Sequence, residues 1–296
     1  MRWSGTPHPG PCVLIIAFDG WNDAGEAASS TIEWMIDRWD TTPLADIDPE
    51  EFYDFTAQRP IATFDDDRNR VINWPSNEFH HGTLGDTERR VVLMKGTEPG
   101  LKWRTFIEEI LAVADEVGAD LMITAGALIA EVSHSRAVHV VGSATSEELT
   151  ERHDLARSTY EGPTGIVGVL HDSARTKGLD SVSMWATVPT YVSGARSPKA
   201  QLALVERIAH MLDLSVMTTD LEIATAAYER QVQELVDADA DTLSYVAELE
   251  ARHDQAMADS ELDDLDEEDD EAEITTAPAD IDQMMTEVEK FLRDEN

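Results

Sequence analysis

Residues 13–18, VLIIAF, form an unbroken apolar run that ends at Asp19 and Gly20 and leads into a helical pattern. A strand with no polar face is at home where helices cover the sheet on both sides, the usual setting of parallel strands. Residues 26–39 then set Ala27, Ile32, Met35, Ile36 and Trp39 near one helical stripe. The same alternation returns down the chain. RRVVLMKG and ADLMITAGAL read as strands on either side of the amphipathic helix LKWRTFIEEILAVADEVG, with Gly118 as its C-terminal cap. VHVVGSA reads as a strand, TGIVGVLHDSARTKG as a helix and LDSVSMWATVP as a strand, and Pro198 opens the helix KAQLALVERIAHMLDL. Thr145 with Glu148, and Thr219 with Glu222, have the spacing of capping boxes. Strands alternating with helices imply an α/β chain. The expectation is a three-layer α/β/α sandwich over residues 1–215 with a mixed, mostly parallel sheet. Residues 40–81 break the pattern: EFYDF, RPIATF and RVINWP between Asp- and Pro-rich turns read as an antiparallel excursion or edge hairpins.

Beyond residue 215 the pattern becomes helical throughout. Leu221, Ala224, Tyr228, Val232 and Leu235 share one stripe, and Leu243, Val246 and Leu249 resume on a second. The simplest solution is an αα-hairpin over residues 216–258 whose apolar stripes are buried against the body or against another subunit. Residues 259–273 then hold eleven acids and no base, so a disordered acidic linker is expected over 259–279. Ile281, Met284, Met285, Val288 and Leu292 restore helical spacing in a short amphipathic helix over 280–296. It would dock on its own oligomer or bind another protein.

Charge and cysteine narrow the setting. The formal net charge is −38, and residues 237–296, with 23 acids against three bases, supply −20 of it. Such a surface repels nucleic acid and anionic membranes, so neither is an expected partner. No stretch approaches the roughly 20 apolar residues of a membrane span. The single cysteine, Cys12, has no internal partner for a disulfide, which suits a reducing compartment. A cytoplasmic protein is expected.

In open α/β sheets, ligands gather beyond the carboxyl ends of the parallel strands. That rule selects strand-end positions that include Thr97, Glu98, Thr190 and Tyr191, and among them a candidate rim of Asp19, Asn22, Asp23, Lys95, Glu131, His134, Ser143 and Thr145, each following a strand pattern. The loop at residues 19–25 could bind a ligand or metal, or be the corner where a strand meets a helix. It has no GxGxxG or GxxxxGK[ST] pattern, and two aspartates repel phosphate, so the corner is the stronger reading. Glu131 with His134 could form an acid–base pair or be solvated and interfacial. Ser133, Ser135 and Ser143 lack a GxSxG context. Neither a cofactor nor a metal is expected, and no catalytic residue is assigned.

Three stretches together resemble a known family: LIIAFDGWNDAGEAAS; VLMKGTEPGLKWRTFIEEILAVADEVGADLMITAGAL with HVVGSAT; and YEGPTGIVGVLHDSARTKGLDSVSMWATVPTYVSGARSPKAQLALVERI. Over about residues 10–215 the chain is similar to the proteasome assembly chaperone two family, in its actinobacterial form with an added C-terminal helical hairpin. The resemblance implies a phosphorylase/hydrolase-like sandwich, self-association, and a partner among proteasome subunits or other proteins. Analogy with phosphorylase-like folds favours a trimer. Some relatives dock through a hydrophobic–tyrosine–any-residue tail, and Arg293, Asp294, Glu295 and Asn296 do not have that pattern. The expected function is therefore a non-enzymatic, oligomeric, assembly-chaperone-like interaction protein. The alternative is a small-molecule binder or enzyme using a strand-end pocket.

Overall fold

The computed structural model describes residues 1–84, 87, 89–155, 161–192 and 194–266. Its centre is the strand β2 (Cys12–Asp19), which pairs in parallel with β7 (Arg90–Thr97) on one side and β8 (Ala119–Ala130) on the other. Next to β8 lies β10 (Asp180–Pro189), also parallel. Antiparallel strands flank these four: β9 (Val140–Ala144) beside β10, and β6 (Asn77–Thr83), β3 (Thr42–Asp46) and β1 (Arg2–Trp3) beyond β7. The fold is the expected α/β sandwich, with a mixed sheet whose middle is parallel. The residues expected to make an antiparallel excursion supply β3, β6 and a separate two-stranded ribbon of β4 (Ile61–Phe64) and β5 (Arg70–Asn73).

Alternation along β2 shows why the central run has no polar member. Val13, Ile15 and Ala17 enter one apolar core, with α1 (Ala27–Arg38) and α5 (Pro198–Met211). Leu14, Ile16 and Phe18 enter a second on the other face, with α2 (Trp103–Val117) and α4 (Ile166–Lys177). Each fully buried Leu or Ile contributes roughly 1.5–3 kcal/mol from apolar transfer, so a polar residue on either face would weaken a core. Cys12 begins the strand fully buried, and burial pushes its thiol up to about 11. Gly118 caps α2 at φ 68°, a left-handed conformation that costs glycine little. The short α3 (Glu147–His153) follows β9, and the hydroxyl that accepts from its first turn belongs to Ser146 rather than Thr145.

The C-terminal part is the expected helical hairpin, α6 (Thr219–Asp237) and α7 (Ala240–Asp266). Most of its stripe is buried within its own chain, at Leu221, Tyr228, Val232, Val246 and Leu249, but Leu235 and Leu243 of the expected stripes are exposed and Val236 is buried in place of Leu235. Tyr228, Val232, Val236 and Val246 form a small core with Tyr191 and Val192 behind them. Thr218, not Thr219, is the residue before the first turn of α6, and its hydroxyl donates to the Glu222 carboxylate at 3.1 Å. The helix α7 continues to Asp266, into the stretch where an extended linker is expected. The rest of that linker and the terminal amphipathic helix lie outside the described residues. No helix among the described residues is long and apolar enough to cross a membrane.

Candidate functional site

The four parallel strands end together at Thr97, Asp19, Ala130 and Pro189, and the site is built on that edge. After β2 the chain folds back onto β8, where the Ala127 amide donates to the Asn22 carbonyl at 2.8 Å. The Asp23 carboxylate then accepts from the amides of Ala28 at 2.7 Å and Ser29 at 3.2 Å, and from the Ser29 hydroxyl. It therefore satisfies the free donors that open α1. Burial lifts its carboxyl above the ordinary carboxylate range, against the pull of those hydrogen bonds. Gly25 sits at φ 59°, where a Cβ would come within 2.9 Å of the Ser197 side chain. Its carbonyl accepts from the Ser197 amide at 2.8 Å, tying the corner to the start of α5. The loop at 19–25 is thus the tight corner between strand and helix.

A second carboxylate does the same for α4. Gly165 precedes that helix and has no side chain to cap it. Glu98, just past β7, fills the place: one carboxylate oxygen accepts from the Ile166 amide at 2.9 Å and from Asn22 Nδ2 at 3.0 Å. Asn22 is buried, and its Oδ1 has no partner among the described residues. A helix N-terminus attracts an anion through its free amides and dipole. At α1 and α4 that anion is a side chain of the chain itself.

Beyond β8 and β10 the edge is covered by the helical hairpin. His134 donates its amide to the Tyr191 hydroxyl at 2.7 Å, and the same oxygen lies 2.8 Å from His134 Nδ1. Burial pushes the His134 ring below its ordinary value, and Gln233 on α6 opposes that shift. Lys199 donates to the His134 carbonyl at 2.6 Å and pairs with Glu229 of α6. From α7, Glu250 accepts from Ser133 and Ser135, and Asp254 takes both a 2.7 Å Nε and a 2.7 Å Nη2 bond from Arg136. Glu131 pairs with Arg252 at 3.3 Å. Glu131 and His134 each engage a different helix or loop, so of the two readings the interfacial one describes them, as parts of a clasp.

Beyond β2 and β7 the edge is open. A groove of about 820 Å³ runs past Asp19, Thr97 and Lys95 to Trp74 and Ile61. Lys95 is paired with Glu33 of α1. Asp19 accepts from the Thr97 hydroxyl at 3.2 Å, and burial raises its carboxyl above the usual range. Among the described residues no group of three or more His, Cys, Asp or Glu side chains is placed to hold a metal ion.

Ser143 and Thr145 lie elsewhere. Because β9 runs antiparallel to β10, Ser143 faces Ser183, and the Thr145 hydroxyl contacts the carbonyl and amide of Ser181, near the amino end of β10. Ser143 is therefore at mid-strand level on the far side of β10, and Thr145 lies toward the amino ends of the parallel strands, away from the edge that holds Asp19. The structure thus brings Asp19, Asn22, Asp23 and Lys95 to one half of the strand-end edge, places Glu131 and His134 under the helices of the other half, and separates Ser143 and Thr145 from both. Glu98 as the cap of α4 was not evident from the sequence. Its trace there is indirect: an apolar helix opened by a glycine must borrow its cap.

The model of the PAC2 family matches residues 17–236. Among solved structures, the proteasome-assembly chaperone homologue Rv2125 of Mycobacterium tuberculosis is 39% identical, with 79% of this chain and 99% of that chain covered and a TM-score of 0.72. A PAC2 family protein from Streptomyces avermitilis is 38% identical over 79% of this chain and 99% of its own, with a TM-score of 0.74. PbaB of Pyrococcus furiosus, an archaeal proteasome activator, is 17% identical over 79% of this chain and 97% of its own, with a TM-score of 0.64, and shares the fold. A search of curated proteins gives no match.

Proposed function

Since the chain belongs to the PAC2 family, we propose that it is an interaction protein that acts on the assembly of other proteins, with proteasome subunits as the partner class. It works in the cytoplasm as a homo-oligomer and recognises surfaces rather than transforming a small molecule. One observation carries this reading. The helix N-termini where a strand-end ligand would be held already contain Asp23 and Glu98 of the same chain. The name of the Mycobacterium tuberculosis relative, a proteasome-assembly chaperone homologue, supports the choice of partner.

The test mixes the purified chain with proteasome core-particle subunits from its own source and follows assembly by native mass spectrometry. The expected result is a complex with partly assembled subunits and a changed rate of core-particle formation. Absence of any complex together with an unchanged rate overturns the reading.

The open groove supports a second reading, a small-molecule site bounded by Asp19 and Lys95. A ligand that binds the folded state raises the melting temperature by mass action. A thermal-shift screen with nucleosides, nucleotides, phosphate and divalent ions tests it. A shift abolished by Lys95→Ala supports the groove, and no shift with any of them removes it.

A further inference from the structure

The strand β6 alternates: Asn77 and Phe79 are buried, and Phe79 enters the second core, while Glu78 between them stays 55% exposed. Such alternation marks a strand covered on a single face. On the other face α1 reaches as far as β7, where Glu33 pairs with Lys95. Two hollows lie beyond it. The groove of about 820 Å³ runs from β6 toward β7 and α1, and a second of about 480 Å³ runs from β6 toward β3 and Arg2 of β1. Trp74, Pro75, Ser76, Glu78 and His80 line both, so the hollows share a wall and together form a trough across this end of the sheet. Neighbouring strands lie about 4.8 Å apart, so the span from β1 to β7 is about 14 Å, room for one further chain segment with its side chains.

The lining is acidic and only partly paired. Seven carboxylates line the trough against Arg2, Arg59 and Lys95. Arg2 is held by Asp46 and Asp48, and Lys95 by Glu33. Asp37, Glu50 and Arg59 have no ion pair among the described residues, so negative charge is left over. The shared wall adds an aromatic face: Trp74 is 50% exposed and packs edge-on against Phe55 at 4.8 Å, which holds the indole in place. Ile61, largely exposed, lines the same groove. A lysine or arginine side chain uses all three features. Its cation pairs with a carboxylate or lies over an indole, and its methylene stem covers apolar surface. Anions are repelled, and so are the occupants nearest at hand. A second copy carries −38, and residues 267–296 of the chain itself hold twelve acids against two bases. Charge complementarity therefore selects a basic segment of a different protein. We propose that the trough on the uncovered face of β6 docks a basic segment of a partner protein, with Trp74 under one basic side chain and Asp37 and Glu78 pairing with the cations of that segment.

The proposal rests on the interaction-protein reading and deepens it, and it assigns to a protein segment the groove that the second reading gives to a small molecule. It is tested with a peptide, so it can fail while binding of proteasome subunits stands, and the reverse. The probe is a fluorescein-labelled peptide of about ten residues, in which lysine and arginine alternate with leucine and alanine. It is titrated with the full chain at about 0.15 M salt, where long-range attraction is screened. The wild type is expected to bind it saturably, read as anisotropy, and to leave a glutamate counterpart of equal length free. Trp74→Ala and Asp37→Asn should each weaken binding about 5-fold. Trp74→Ala also loses the contact with Phe55, so Asp37→Asn, at an exposed position, guards against a folding defect. Glu151→Gln on α3, at the opposite end of the sheet, should leave the affinity unchanged. No binding by the wild type overturns the proposal, as does wild-type affinity in either Trp74→Ala or Asp37→Asn. Equal binding of the glutamate peptide, or an equal loss in Glu151→Gln, overturns it too, because the trough then has no part in the selection.

Discussion

Two hairpins leave the sandwich, and they solve the same problem in opposite ways. Each is an insertion or extension too small to own a core. The helical pair α6–α7 returns its apolar stripe to the chain, closing over Tyr191 and Val192 and clasping the segment after β8 through Lys199, Glu250, Arg136 and Arg252. The ribbon β4–β5 lines the groove through Ile61 and Asn73 but leaves Ile61, Phe64, Val71 and Ile72 in solvent. The first hairpin seals half of the strand-end edge; the second overhangs the half that stays open. Size explains part of the contrast. A long amphipathic helix presents a continuous stripe that one neighbouring surface can bury, whereas a ribbon has two faces and cannot lay both on the same body.

Substitutions can break that comparison. Leu249 on α7 is 2% exposed, so Leu249→Ala should lower unfolding free energy by about 3 kcal/mol in urea titration. A loss below about 1 kcal/mol would mean that the helical hairpin is an accessory. At the corner, Asp23→Ala removes the cap of α1 and should cost about 1–2 kcal/mol by the same measurement. An unchanged midpoint would detach the corner from the stability of α1.

The clasp should also respond to pH, more modestly. His134 is held neutral in the fold, with its ring below the ordinary value of 6.5, while the unfolded chain binds the proton more readily. Its contribution is therefore complete above about pH 6.5, falls as the pH drops below that, and levels off under the folded value. Tyr191, Lys199, Gln233, Glu229 and Glu250 are the groups that surround the ring. His134→Gln should flatten this part of the stability–pH curve, and an identical slope in the variant would remove the histidine from the clasp. The smallest effect belongs to the ribbon. Phe64→Ala should change stability by no more than about 0.5 kcal/mol, as for a surface position. A larger loss would mean that the face bearing Phe64 is part of the chain's own core.

The contrast also marks what could be seen in the sequence. The strands β2, β7, β8 and β10 announce themselves through apolar runs, and α1, α2, α4 and α5 through helical spacing. An apolar alternation reads the same in either direction, however, and this hid the reversal of β9 that carries Ser143 and Thr145 away from the strand-end edge. Charge at a strand end was equally ambiguous. Asp23 and Glu98 have the composition of a binding loop, and only their distances to the amides of Ala28 and Ile166 identify them as caps. Most of the stripe of α6 was evident, although Leu235 proves exposed and Val236 buried in its place, and which surface covers it depends on the segment after β8 and on Tyr191, both far from it in the chain.

The thiol at the foot of the middle strand has a practical consequence. A sulfur kept protonated and out of contact with water is inert to alkylating reagents. Cys12 is the single cysteine of the chain, so a maleimide pulse marks molecules whose central strand has parted from its neighbours. The protein thus carries a one-atom stopwatch for the opening of its innermost layer, readable by mass without any introduced label site.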